Sequence, residues 1–206
     1  MVQIDKGKLL FEFSDFDLSG ILKECMSLIQ FQAQLKQINL LLEINANIAY
    51  IRSDEKRIKQ VVLNLLSNSI KFTHEGHIKL KIYLAEQKTI CVEVSDTGIG
   101  FREHQKQYII DALKNNNDNI LVDDVFGLGF GLSISNILAK GLSGGNKSIE
   151  LSSQQNKGSI FKFYIKNHTS DVICCEMVQR ECLVHNQNHV IQQIIKIIME
   201  EIQVMK

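Results

Sequence analysis

Residues 59–73 read Lys59-Gln60-Val61-Val62-Leu63-Asn64-Leu65-Leu66-Ser67-Asn68-Ser69-Ile70-Lys71-Phe72-Thr73. Ile58, Val61, Val62, Leu65 and Leu66 recur at helical spacing, so a helix lies here with one apolar stripe toward a core. Asn64, Asn68 and Lys71 fall at i, i+4 and i+7, which gathers two amides and an ammonium on a second face of the same helix. Such a face alone reads first as a solvated surface. It also reads as a site on a rigid element, with amides as neutral metal and phosphate ligands and the lysine as a point charge. The helix is expected to open at Ser53 as N-cap, with Asp54 and Glu55 in its first turn, to run to about Phe72 and to stop near Gly76.

Outward from this helix, Ile21, Leu22, Cys25, Leu28 and Ile29 predict a helix over residues 18–36, and residues 38–44 a short strand. Residues 78–84 and 90–95 both alternate and predict a hairpin. A polar helical stretch follows Gly100, then an Asn/Asp-rich loop over 115–124, then a helix from the glycine cluster at 127–131 to about Leu142. Residues 149–152 and 160–165 predict a closing hairpin. This mixed order points to an α+β two-layer sandwich, with a mostly antiparallel sheet carrying its helices on one face. Three segments follow: 1–17 as a leading linker, 18–166 as the folded domain, and 167–206 as a polar linker ending in an apolar helix over 190–205.

Three further motifs carry chemistry. Val94-Ser95-Asp96-Thr97-Gly98-Ile99-Gly100 sets a carboxylate at a strand end beside a turn whose glycines permit close approach to a ligand. Gly127-Leu128-Gly129-Phe130-Gly131-Leu132-Ser133 sets alternating glycines before a helix N-terminus, an arrangement suited to anions. No Gly-Lys-Ser/Thr follows, so it is not a P-loop, and no strand precedes it as a dinucleotide fingerprint requires. Lys157-Gly158-Ser159-Ile160-Phe161 is a turn entering an alternating strand.

Composition excludes several classes. The 206 residues carry 23 basic and 23 acidic side chains, and zero net charge argues against a nucleic-acid or membrane-surface binder. No apolar run approaches the ~18–20 residues of a membrane span, and no secretory signal opens the chain. Five cysteines, with Cys174, Cys175 and Cys182 near the C-terminus, suggest a reducing compartment rather than a disulfide framework. Cys175, Cys182, His185 and His189 match no common zinc spacing.

In their order and spacing, Asn-x3-Asn-x2-Lys-Phe-Thr, Asp-x-Gly-x-Gly, Gly-x-Gly-x-Gly-Leu and Gly-Ser-x-Phe resemble the catalytic ATP-binding domain of sensor histidine kinases, of the GHKL superfamily. The resemblance covers roughly residues 8–166 and implies the Bergerat-type sandwich with bound ATP and Mg²⁺. Residues 4–9 look like the linker after the phosphoacceptor hairpin of hybrid-type kinases. By position, Asn68 looks like the Mg²⁺ ligand, Asn64 and Lys71 lie near the phosphates, and Phe72 lies near the adenine. Asp96 looks like the acceptor for the adenine amine, helped by Thr97 and Ser159, with Gly98, Ile99 and Gly100 bounding the base. Gly127, Leu128, Gly129, Phe130, Gly131 and Leu132 look like the lid over the triphosphate.

The resemblance further implies transfer of the γ-phosphate to a histidine on a dimerising hairpin, upstream or in trans, and a response regulator or receiver domain as the next acceptor. It places the chain on the cytoplasmic side, soluble as it stands or within a longer membrane-anchored protein. Hydrolysing relatives carry a glutamate where this chain has Asn64, and an amide is no general base, so transfer is favoured over hydrolysis. None of the six histidines sits in a phosphoacceptor motif. Tyr108-Ile109-Ile110-Asp111-Ala112-Leu113 replaces the family's Phe-rich segment, Asp123 and Asp124 precede the lid, and Asn136 stands where the lid helix often offers a cation. These departures leave open a nucleotide-binding signalling module without kinase activity.

Overall fold

The computed structural model describes residues 4–5, 8–45, 50–86, 88–114, 130–145 and 147–169. A compact unit spans Met1–His168. Its core is a five-stranded sheet in the order β4-β6-β7-β9-β8, formed by β4 (Asn39–Ile44), β6 (His77–Glu86), β7 (Thr89–Asp96), β9 (Gly158–Lys166) and β8 (Glu150–Gln154). β4 runs parallel to β6 and the other pairs are antiparallel. Ile78, Leu80 and Ile82 of β6, Ile90, Val92 and Val94 of β7, and Phe161, Phe163 and Ile165 of β9 turn to one buried face. The opposite face carries cross-strand ion pairs, Lys79 with Glu43 at 2.8 Å and Lys162 with Glu93 at 3.1 Å.

Helices cover the apolar face. α1 (Leu18–Leu35) packs on β4 and on α2 (Glu55–Phe72), which lies over β6 and β7. A later helix, Phe130–Leu142, packs on α2 and β9; with α3 (Glu103–Lys114) against β8, it is numbered α4. In α2 the predicted stripe is buried, with Ile58, Val61, Val62, Leu65 and Leu66 fully enclosed. Truncating either leucine to alanine would cost about 2–5 kcal/mol through lost transfer energy and a cavity. In α1 the spacing overreaches: Leu28 is exposed, and with Phe31 and Leu35 it lies on the solvent side.

Two local expectations are corrected. The N-cap of α2 is Asp54, whose Oδ1 accepts the Arg57 N–H at 3.0 Å and whose Oδ2 accepts the Glu12 N–H at 2.8 Å. Ser53 instead ends β5 (Tyr50–Ser53), paired antiparallel with β3 (Ser14–Asp17). Residues 14–17, assigned to the leading linker from sequence, thus pair within the compact unit and bury Phe16. Upstream, β1 (Ile4–Asp5) and β2 (Lys8–Leu9) form a small antiparallel pair. At the other end the compact unit passes residue 166: His168 N–H donates to the Arg52 carbonyl at 2.9 Å, and its ring lies 4.6 Å from that of Phe13. Among the described residues no helix is long and apolar enough to cross a membrane. The predicted helix over 190–205 and the cluster of Cys175, Cys182, His185 and His189 lie outside the described residues.

Candidate functional site

A cleft of about 500 Å³, solvent at its mouth included, opens between the last turns of α2, the end of β7 and the start of β9, walled on one side by the loop into α3. Asn68, Ser69 and Phe72 line it from α2, Asp96, Ile99 and Gly100 from the β7 end, and Ser159 from β9. The helix periodicity of α2 and the register pairing Asp96 with Ser159 put these distant residues together.

Asp96 is the polar focus. Its Oδ1 accepts the Gly98 N–H at 2.9 Å, its Oδ2 accepts the Ser69 hydroxyl at 3.3 Å, and the Ser159 N–H also bonds it. Burial pushes its carboxyl above the ordinary carboxylate range, and the three hydrogen bonds oppose that rise. The group is therefore oriented and partly desolvated, with lone pairs left for a donor entering the cleft. Gly158 is demanded by this packing: its φ is +105° and a Cβ there would strike the Asp96 carbonyl. Gly98 is required by backbone packing, since a Cβ there would meet the Phe72 carbonyl.

Asn68 supplies a second observation. Its Nδ2 is buried and has no hydrogen-bond partner. A buried unpaired amide is costly, and its oxygen and nitrogen exchange places by a simple flip. An amide that lines the cleft and has its nitrogen unpaired fits a neutral oxygen ligand for Mg²⁺, whose preferred donors are oxygens. Phe72 forms a wall, with Lys71 Nζ 5.1 Å from its ring centroid. Ile99 stands at the mouth, 47% exposed.

Other expected residues lie elsewhere. Asn64 does not line the cleft. Its Nδ2 donates to Ser135 Oγ at 2.9 Å and its Oδ1 lies against Gly131, so it joins α2 to the first turns of α4. Thr97 also points away: its hydroxyl accepts the His77 N–H at 2.9 Å and faces the Glu75 and His77 carbonyls. Leu132 is fully buried in the core rather than over the cleft. Phe130 begins α4, while Gly127, Leu128, Gly129, Asp123 and Asp124 lie outside the described residues. Asn136, at the position of an expected cation, is buried between α3, α4 and β8; its Nδ2 donates to the Leu113 carbonyl at 2.9 Å and its Oδ1 accepts the Ile149 N–H at 2.9 Å. It braces elements that flank the segment 115–129.

The structure adds Ser69, Phe101, Gln105 and Phe161 to the lining. Ser69 is 2% exposed, and its one signal in the sequence is that it adjoins Asn68 on the same helix. Gln105 had none, being one polar residue in a polar stretch; its Oε1 accepts the Arg102 N–H at 3.0 Å.

Residues 53–169 match the model of the histidine kinase-, DNA gyrase B-, and HSP90-like ATPase family. The circadian input-output histidine kinase CikA of Synechococcus elongatus is 32% identical over 170 residues, covering 81% of this chain and 22% of that protein. The signal transduction histidine-protein kinase BarA of Escherichia coli is 31% identical over 186 residues, 88% of this chain and 20% of that protein. The chain thus spans about a fifth of these relatives' length. The catalytic domain of histidine kinase ThkA, in a nucleotide-free form, aligns with a TM-score of 0.61 at 26% identity, covering 76% of this chain and 96% of that one.

Proposed function

The chain belongs to the histidine kinase-, DNA gyrase B- and HSP90-like ATPase family, and from that premise we propose that it binds Mg²⁺–ATP and transfers the γ-phosphate to a histidine carried by another segment or chain. The observation that carries this reading is the partly buried Asp96 carboxylate, held by three hydrogen bonds at a cleft that Asn68, with its Nδ2 unpaired, also lines.

Asp96 accepts the exocyclic amine of adenine, held in place by Ser69, Gly98 and Ser159. Guanine presents a carbonyl oxygen there, and two acceptors repel. Phe72 and Ile99 flank the base. Asn68 would hold Mg²⁺, which when bound neutralises charge on the phosphate oxygens. Lys71, on the same helix face, adds positive potential toward the phosphates. A neutral imidazole nitrogen attacks the γ-phosphorus, the bond from that phosphorus to the β,γ-bridging oxygen breaks, and ADP leaves with the electron pair. Imidazole is a nucleophile when neutral, so the chain supplies position and charge rather than a base. Asn64, an amide engaged with Ser135, offers no base for water. By the same reading the acceptor hairpin dimerises, a response regulator or receiver domain takes the phosphoryl group onward, and the chain works on the cytoplasmic side.

The test supplies an acceptor hairpin from a related kinase and γ-labelled ATP. Label on the hairpin, stable in base and lost in acid, supports transfer to histidine, and Asn68→Ala should abolish it. Nucleotide binding with no labelled acceptor overturns the kinase reading. Steady phosphate release without an acceptor points to hydrolysis instead.

A further inference from the structure

The floor of the cleft rests on the last turn of α2, and that turn is held from outside the cleft by Lys36. The Lys36 Nζ donates to the Ile70 carbonyl at 2.6 Å and lies 3.4 Å from the carbonyls of Lys71 and Thr73. These are carbonyls that a helix end leaves without intrahelical partners, at the negative end of its dipole. Phe72 O, the remaining carbonyl of the run, accepts the Ile99 N–H at 3.2 Å. One ammonium and one amide therefore tie down residues 70–73. Phe72 and Ile99, which exchange that bond, both line the cleft.

Lys36 is itself fixed. It is the C-cap of α1, and the next residue, Gln37, adopts φ +56°. Ile38 N–H donates to the Ala33 carbonyl at 2.9 Å and Gln37 N–H to the Gln34 carbonyl at 3.0 Å, the paired bonds of a Schellman motif. Ile38 and Ala33, the hydrophobic pair of such a motif, are both buried. A left-handed glutamine is less favourable than a glycine there, so the packing of α1 enforces the turn that aims the lysine.

We infer that Lys36 is a positioning residue for the nucleotide: by holding the C-terminal turn of α2 it sets the spacing between Phe72 and the turn at residues 98–100 into which the base enters. The inference rests on the base-pocket reading above. Lys36 is not in the cleft lining, so its effect is on binding rather than on transfer.

The experiment titrates Mg²⁺–ATP into the wild-type chain, Lys36→Met and Lys36→Arg at a temperature where all three are folded, and follows hydrogen exchange of the Ile99 amide. Lys36→Met should raise Kd roughly tenfold, the worth of one charge-assisted hydrogen bond, and speed exchange at Ile99 while Val92 and Val94 stay protected. Lys36→Arg, which keeps charge and donors, should restore both. In the labelling assay KM rises and kcat does not. A lower melting temperature with unchanged Kd and unchanged Ile99 exchange assigns Lys36 to stability alone and overturns the inference. If Lys36→Met does not fold, Lys36→Gln keeps a neutral donor and should fall between the two; wild-type Kd and exchange in that variant likewise overturn it. If the wild-type chain binds no nucleotide, the base-pocket reading fails, and Ile99 exchange in Lys36→Met still decides whether the lysine holds the turn.

Discussion

Replacing Asp96 with asparagine keeps the shape of the side chain and reverses its chemistry. The amide oxygen can still accept the Gly98 N–H, now 2.9 Å from Oδ1. The amide nitrogen takes the place of Oδ2 and faces the Ser69 hydroxyl, which can turn to accept. Into the cleft it presents a donor where adenine also presents one. A hydrogen bond to a charged group contributes about 1.5–3 kcal/mol, so its loss raises the Kd for ATP roughly 10- to 150-fold. Stability moves the other way. Burial raises the folded-state pKa of Asp96 above its unfolded value, so its contribution is full below the unfolded pKa and is lost as pH rises through the folded pKa. At neutral pH the ionised carboxylate is thus a cost to the empty fold, and Asp96→Asn should melt no lower than wild type. Binding carries the opposite dependence: ATP needs the carboxylate ionised, so wild-type affinity should fall as pH drops through the raised pKa while the variant shows no such step. Calorimetric titration of both proteins across pH cancels the nucleotide's own phosphate titration in the difference. An Asp96→Asn chain that binds ATP within about twofold of wild type at neutral pH, with the same pH profile, refutes the assignment.

Two other substitutions probe the frame around the site. Asn136→Ala strands the Leu113 carbonyl and the Ile149 N–H in a buried joint; it should cost about 2–4 kcal/mol and lower the melting temperature by roughly 5–15 °C, read by calorimetry. Gly158→Ala forces a side chain into φ +105° against the Asp96 carbonyl; it should destabilise by about 2 kcal/mol or more and weaken ATP binding at temperatures where the variant remains folded.

Much of this was legible in the sequence because a few strong periodicities decide it. The stripe of α2 and the alternation of β6, β7 and β9 dictate which faces are buried, and the strand register then delivers Asp96 and Ser159 to the turn of Asn68. The strand pair β3–β5 was illegible, since Ser14-Asp15-Phe16-Asp17 buries a single apolar side chain and only its partner reveals it as a strand. The cap at Asp54 rather than Ser53 follows from that same pairing, which uses Ser53 as a strand end. Asn64 and Thr97 carry the polar groups a ligand would use, yet contacts distant in sequence, Ser135 for one and His77 for the other, claim them. Lys36 is one lysine at the end of a predicted helix until the fold sets it against the carbonyls of another helix more than thirty residues away.

The central claim is that a partly buried carboxylate reads the exocyclic amine of adenine, and the sharpest measurement is a pair of titrations of the wild-type chain with Mg²⁺–ATP and Mg²⁺–GTP under one set of conditions. The Asp96 geometry predicts that ATP binds and that GTP, with a carbonyl oxygen facing the carboxylate, binds roughly 100-fold more weakly or not at all. Equal affinity for the two nucleotides would contradict it.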